Sequence, residues 1–272
     1  MARLTPKDVR NIPKNLEHLD AELNLKIGAS LTETSKRAAG FTGDLLKAFQ
    51  GYKSTAVPMT AGKGIIKGFT EAMASITEYL GLKTKIIVSS DVKGLVEAIT
   101  DGANIIFAAD DDFCAGFNLK LLRISHNSEA TGRAYAAALE LRAGGINGER
   151  VSVIGIGRVG RAAVEYLQDK GAMIYAFDID KRKLREPFFS FSERVHACSS
   201  LRECLSKSRL ILLSGPKRGF IKSNLIDREM VFSVPSIPLG FDRDALKKIP
   251  SENIIHDFLE LGVATMAVEL VV

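Results

Sequence analysis

Residues 151–180 read VSVIGIGRVGRAAVEYLQDKGAMIYAFDID. The stretch opens on a short β-branched run, residues 151–154, of the kind a buried strand carries. It passes directly into Gly155-Ile156-Gly157-Arg158-Val159-Gly160. A helical period follows, with Val159, Ala163, Val164 and Leu167 on one face, and Gly171 stops it. A second apolar run, residues 173–177, ends on Asp178. Strand, turn, helix and strand within about 30 residues is the size of a nucleotide-binding crossover.

Each glycine has a physical role in such a unit. Gly155 permits the tight turn out of the strand, Gly157 lets a pyrophosphate approach the backbone, and Gly160 lets helix and strand pack closely. The N–H groups at the helix start, at Arg158 and Val159, face the phosphates, and the helix dipole favours their charge. Asp178 lies 21 residues beyond Gly157, where an acid takes the ribose hydroxyls. An acid there favours NAD, because a carboxylate repels a 2′-phosphate. Lys181 and Arg182 follow it closely enough to reach such a phosphate; otherwise Asp180-Lys181-Arg182-Lys183 is a solvated helix start.

The rest of the composition narrows the function classes. The 272 residues suffice for one large domain or two modest ones. At 46% hydrophobic and 25% charged, the chain has the balance of a soluble globular protein. A net charge of +5, without a long basic run or interleaved aromatics, argues against nucleic acid as a partner. Cys114, Cys198 and Cys204 have no metal spacing and are read as reduced thiols in the cytoplasm. His18, His126, His196 and His256 are scattered, so no metal is expected. The N-terminus has no signal-peptide core, and the apolar tail, residues 263–272, is too short to span a bilayer; no membrane partner is expected. The oligomeric state is not legible, and a homodimer is left open.

The coarse pattern predicts an α/β protein of two domains. The first 50 residues read as polar helices. Strands are expected over residues 56–60, 85–88 and 104–108. The first two are separated by a helix capped by Thr70 with Met73, Ile76 and Leu80 inward, and the last two by a helix whose inner face is Val92, Leu95, Val96 and Ile99. That order predicts a small parallel sheet in an N-terminal substrate domain, residues 1–126. A small-residue helix carrying Ala130, Ala134, Ala137, Ala138 and Leu141 links the domains over residues 127–145. A Rossmann domain fills residues 146–272, with further strands over 210–213, 230–234 and 253–256, and a last helix from Leu259 that can return to the first domain.

Ligands of open parallel sheets sit at the carboxyl ends of the strands. In the C-terminal half these ends are the glycine loop, Asp178, Ser214-Gly215-Pro216 and Pro235, assigned to the cofactor. In the N-terminal half they are residues 60–64, 89–91 and 110–112, left for a small-molecule substrate. Asp110 can hold an ammonium or guanidinium group, or cap its own turn. Glu71 can meet a ligand or serve as a first-turn acid, Asn127 can cap the long helix or contact a ligand, and Phe69 can be core.

Three segments resemble a known family: VPMTAGKGIIKGFTEAMASI, AITDGANIIFAADDDFCAGFNLK, and SVIGIGRVG with FDID. They look like the pyrrolysine-forming dehydrogenases, and the opening LTPKDV and closing LGVATM are similar too. The resemblance runs from about Leu4 to about Ala267. PMTAGKGII and FAADD carry it; the glycine fingerprint is generic. It implies NAD-dependent oxidation of 3-methylornithyl-N6-lysine, a lysine acylated by a methylated ornithine, at the carbon bearing the ornithine's terminal amine, then loss of ammonia and ring closure. It further implies that Leu4, Phe69, Glu71, Asp110 and Asn127 lie near substrate. Ala61 stands where the family is expected to carry a serine. Outside the resemblance, the residues also suit a dehydrogenase for another amino acid, imine or folate-type substrate, or a silent NAD-binding regulatory subunit.

Overall fold

The computed structural model describes residues 4–62, 64–110, 112–185, 193–215 and 218–272. They divide into two compact units. One holds the residues through Glu22, Ser30–Thr131 and Asp257–Val272; the other holds Leu23–Ala29 and Gly132–His256.

Helices α1 (Pro6–Val9), α2 (Ile12–Ile27), α3 (Leu31–Ala38) and α4 (Leu45–Phe49) occupy the polar opening. The predicted alternation follows: β1 (Ser54–Pro58), α5 (Phe69–Tyr79), β2 (Thr84–Ile86), α6 (Asp91–Thr100) and β3 (Ile105–Ala109). The strands are parallel in the order β2-β1-β3. Every residue of β1 and β3 is buried, as in a strand covered on both faces.

Three local expectations are corrected. Thr70 does not cap α5. The helix starts two residues earlier, with Gly68 at the cap in the left-handed region (φ 89°) that a threonine avoids, and the Thr70 hydroxyl donates to Glu71 (2.9 Å). The sheet is not wholly parallel either. Two antiparallel strands, β4 (Ala115–Asn118) and β5 (Arg123–His126), extend it to β2-β1-β3-β4-β5. Their turn contains no glycine or asparagine; Leu122 takes the positive φ (54°) instead. Gly116 sits mid-strand because a Cβ there would lie 2.6 Å from a Leu270 methyl and 3.1 Å from the Phe107 ring.

The third correction concerns α6. Its inner face is Gly94 and Ala98, not the predicted valines and isoleucine. A Cβ on Gly94 would collide with Ser89 O and lie 2.6 Å from a Val57 methyl, so the helix lies too close to β1 for anything larger. Leu95 alone of the predicted face packs against this core, while Val92, Val96 and Ile99 are exposed.

Helix α7 (Asn127–Ala143) follows, with Ala130, Ala134, Ala137 and Ala138 fully buried. The other unit then builds β6 (Arg150–Ile154), α8 (Arg158–Asp169), β7 (Met173–Phe177), β8 (Val195–Ala197), α9 (Leu201–Ser206), β9 (Leu210–Leu213), β10 (Val231–Ser233), α10 (Arg243–Lys248) and β11 (Ile254–Ile255). All six strands are parallel, in the order β11-β10-β9-β6-β7-β8. This is the doubly wound order of a dinucleotide fold, with its switch point between β6 and β9. The final helix, α11 (Glu260–Glu269), packs against α3 and α5 in the first unit.

Because α6 tolerates no side chain at its contact with β1, Gly94→Ala should destabilise the protein by roughly 1–3 kcal/mol, the cost of overpacking a filled core. Urea unfolding measures it. A neutral Gly94→Ala would show that the helix can lift off the sheet freely.

Candidate active site

The turn after β6 is held from both neighbouring strands. The Gly155 N–H donates to Phe177 O (2.8 Å), and the Ser214 N–H donates to Ile154 O (2.8 Å). The Ser214 hydroxyl donates to Gly155 O (2.6 Å). Gly155 has φ +92°, and a Cβ there would fall 2.9 Å from Gly215 N. A Cβ on Gly160 would collide with Gly155 O, so the first turn of α8 rests directly on the loop.

Gly157 differs in kind. No atom lies within 4 Å of where its Cβ would be, so it faces open space. It is the cap residue of α8, and no side chain bonds the helix start there. Arg158 and Val159 form the next two positions. An open glycine before the first backbone N–H groups of a twelve-residue helix fits a pyrophosphate. The cradle therefore suits a dinucleotide on its own geometry.

Asp178 is buried (5% exposed) at the end of β7. Its Oδ2 accepts from the Ile156 N–H (2.7 Å) and the Lys183 ammonium (3.2 Å), and its Oδ1 accepts from the Asp180 N–H (2.8 Å). The acid thus pins the glycine loop to β7. Asp180 grips Arg182 with both oxygens (2.9 Å each), and that guanidinium pushes its carboxyl down to about 2. Arg182 is therefore occupied, Lys181 is exposed, and Lys183 is the cation that reaches Asp178. Sequence reasoning passes over Lys183 as part of a solvated helix start; a short turn over Lys183–Arg185 brings it back to the acid. Pro235 is buried after β10, and the neighbouring Ser236 hydroxyl donates to Leu213 O (3.1 Å). Pro216 lies outside the described residues.

In the first unit, β1, β3 and β5 run the same way, so their carboxyl ends share one edge of the sheet. Ala61 is exposed just beyond β1, Asp110 ends β3, and Asn127 follows β5. Phe69 (4% exposed) and exposed Glu71 lie in the first turn of α5. Leu4 is half-buried ahead of α1.

Asp110 is 8% exposed, and its Oδ1 accepts from the N–H groups of Asp112 (2.7 Å) and Phe113 (2.8 Å). One oxygen therefore closes the turn. Asp91, the last of the strand-end residues 89–91 left for substrate, holds the neighbouring loop instead. In the left-handed region (φ 55°), it accepts from the Thr60 N–H and hydroxyl (2.8 Å each). The Thr60 N–H and hydroxyl keep its carboxyl below the usual range, so this clamp is intact above that range and lost as pH falls through the lowered value.

Asn127 donates its backbone N–H to Cys114 O (3.0 Å). Its Oδ1 is buried with no hydrogen-bond partner among the described residues, and so is His126 Nδ1. The His126 ring meets Phe113 edge-on at 4.7 Å. Two orphaned buried polar atoms on adjacent residues are costly; a ligand N–H would satisfy the Asn127 oxygen, and the His126 ring nitrogen takes a donor or an acceptor according to its tautomer. Burial, and then the charge of Asp110, pushes the Cys114 thiol up to about 12, so it is no thiolate nucleophile at neutral pH. Among the described residues no three His, Cys, Asp or Glu side chains cluster as metal ligands. No helix there is long and apolar enough to cross a membrane.

Comparison with known proteins adds an independent line. Residues 8–125 match the family "Pyrrolysine biosynthesis protein PylD, N-terminal domain". Residues 116–231 match "D-isomer specific 2-hydroxyacid dehydrogenase, NAD binding domain". Pyrrolysine synthase of Methanosarcina acetivorans is 31% identical over 268 residues, 98% of each chain. That of Methanosarcina barkeri is 29% identical, over 98% of this chain and 97% of its own. Quinate dehydrogenase from Corynebacterium glutamicum, solved in complex with NAD, shares the fold at TM-score 0.54 and 13% identity, over 80% of this chain and 93% of its own.

Lys183 partly neutralises Asp178, so it should soften the acid's discrimination against a 2′-phosphate. Lys183→Ala should raise the ratio of NAD to NADP affinity about three- to fivefold, the scale of a partly exposed ion pair. Calorimetry with both cofactors measures this. A lowered ratio would mean that Asp178 does not face the ribose.

Proposed function

The chain belongs to the PylD family of pyrrolysine synthases, and from that premise we propose that it oxidises 3-methylornithyl-N6-lysine with NAD, at the carbon bearing the ornithine's terminal amine. It is a nicotinamide-dependent oxidoreductase. The observation that carries the reading is the open Gly157 cradle at the switch point of a doubly wound sheet, in a chain related to pyrrolysine synthases over 98% of its length.

When bound, NAD supplies the hydride acceptor. The chain's part is to hold and orient. In this reading Gly155, Gly157, Arg158, Val159, Gly160, Ser214, Gly215 and Pro235 hold the dinucleotide, and Asp178 meets its ribose. Leu4, Ala61, Phe69, Glu71, Asp110 and Asn127 face the substrate. Alanine at position 61 offers no hydroxyl, so any side-chain contact there is apolar.

The substrate's own chemistry sets the conditions. Hydride leaves an amine-bearing carbon only when the nitrogen has a lone pair to push. A free primary amine has a pKa of about 10, so roughly one molecule in a thousand is neutral at pH 7. Excluding water lowers that pKa, and an adjacent carboxylate raises it. Asp110 therefore belongs to one of the substrate's two other ammoniums, the ornithine α-amine that later closes the ring or the lysine α-amine, or orients the chain. After hydride departs, the α-amine attacks the resulting imine carbon, and ammonia leaves with the ring closed. No nucleophilic side chain is required.

Asp110→Asn keeps an oxygen to accept from Asp112 and Phe113 while removing the charge. It should cost about 1.5–3 kcal/mol, the range for a hydrogen bond to a charged group, or roughly ten- to hundredfold in kcat/KM. NAD affinity and melting temperature should hold. Mass spectrometry of the wild-type reaction should show a product lighter than the precursor by two hydrogens and one ammonia. An unconverted precursor sinks the reaction, and a collapsed Asp110→Asn fold makes Asp110 a turn cap alone.

A further inference from the structure

Helix α6 turns its larger side chains the wrong way for a surface helix. Gly94 and Ala98 face the sheet, while Val92, Val96 and Ile99 are 73%, 58% and 54% exposed. Their i, i+4, i+7 spacing puts all three on one stripe. The stripe exposes on the order of 300 Å² of apolar surface, the size at which an exposed patch on a monomer carries meaning. The close approach forced by Gly94 explains the small inner face. It does not explain three β-branched residues outside, where a polar residue would cost nothing in packing.

We propose that the Val92–Val96–Ile99 face of α6 is a homotypic docking surface that pairs antiparallel with α6 of a second copy of this chain. The flanking charges select that occupant. Lys93 and Glu97 are both exposed and lie on the same side of the stripe, one turn apart. A twofold axis perpendicular to the helices places this flank against the same flank of the other copy. Lys93 then meets Glu97 of the partner subunit, and Glu97 meets Lys93 of the partner subunit. The flank is self-complementary: Lys93 and Glu97 are reversed by the symmetry, and the neighbouring Lys85 and Asp101 pair with each other and leave its charge balanced. Its balanced charge offers nothing to an anionic lipid surface. Val and Ile lose little rotamer freedom on burial, which favours a small contact. A standard stable interface buries about 800 Å² per partner, so a helix pair of this area makes a reversible dimer whose population rises with concentration. The inference does not depend on the substrate.

Sedimentation velocity of the full chain over a range of concentrations tests it. The wild type should pass from monomer to dimer. Val96→Lys should be monomeric throughout, with NAD affinity and circular dichroism unchanged. Lys93→Glu should weaken the dimer at least about tenfold, because it opposes like charges. Adding Glu97→Lys to Lys93→Glu should restore it to within about threefold. A monomeric wild type, a dimer that survives Val96→Lys, or a double exchange no tighter than the single one would each overturn the proposal. The charge exchanges keep the test decisive should Val96→Lys fail to fold.

Discussion

The close approach of α8 to the end of β6 is the contact on which the dinucleotide unit depends. Gly160 lies so near Gly155 O that no side chain fits between them. That contact sets where the helix N-terminus points, and hence where its N–H groups can receive charge. Ser214 from β9 and Asp178 from β7 then fix the loop, one through Gly155 O and the other through the Ile156 N–H. Three adjacent strands thus converge on one turn. Asp178 serves twice, because the carboxylate that would meet a ribose also supports the loop that would meet the pyrophosphate. Exchanging it would disturb both, so Lys183 is the cleaner handle on cofactor choice.

The other unit solves its problem with acids. Asp91 closes on Thr60, and Asp110 closes on Asp112 and Phe113. Each uses carboxylate oxygens to order a loop beyond a strand end. Asp91 does so from a backbone conformation few non-glycine residues adopt, a strain that the surrounding hydrogen bonds must offset. The orphaned His126 Nδ1 and Asn127 Oδ1 lie at the end of β5 and just beyond it, on that shared edge. Ordered loops and unsatisfied polar atoms are a combination that a polar, N–H-rich ligand would complete.

The dinucleotide unit is largely legible in the sequence because its signals are local. The glycines, the run of residues 151–154, the helical face and Asp178 are contiguous, and each principle they invoke acts within a turn or two. Elsewhere the determinants are tertiary. Periodicity misplaces the face of α6 because it cannot say which stripe of a helix is inside; the collision at Gly94 decides that. The β4–β5 hairpin escapes because Leu122, not a glycine or asparagine, takes the positive φ, while Asn118 at the end of β4 holds the turn through its side chain. β8 is three residues long, too short for a pattern. In the candidate site, Asp110 and Asn127 are visible as strand-end polar residues. Asp91 is visible only as part of a strand end and not as the clamp on Thr60, and Lys183 is not visible at all, because their partners lie on another segment or beyond an irregular turn.

In the proposed reaction hydride leaves one carbon of the substrate, the one bearing the ornithine's terminal amine. The most direct measurement uses a precursor carrying two deuteriums at that carbon and follows the label into the cofactor by mass spectrometry. The account predicts one deuterium in the reduced nicotinamide for each pyrroline ring formed. Reduced cofactor without deuterium, or ring formation without cofactor reduction, would contradict it.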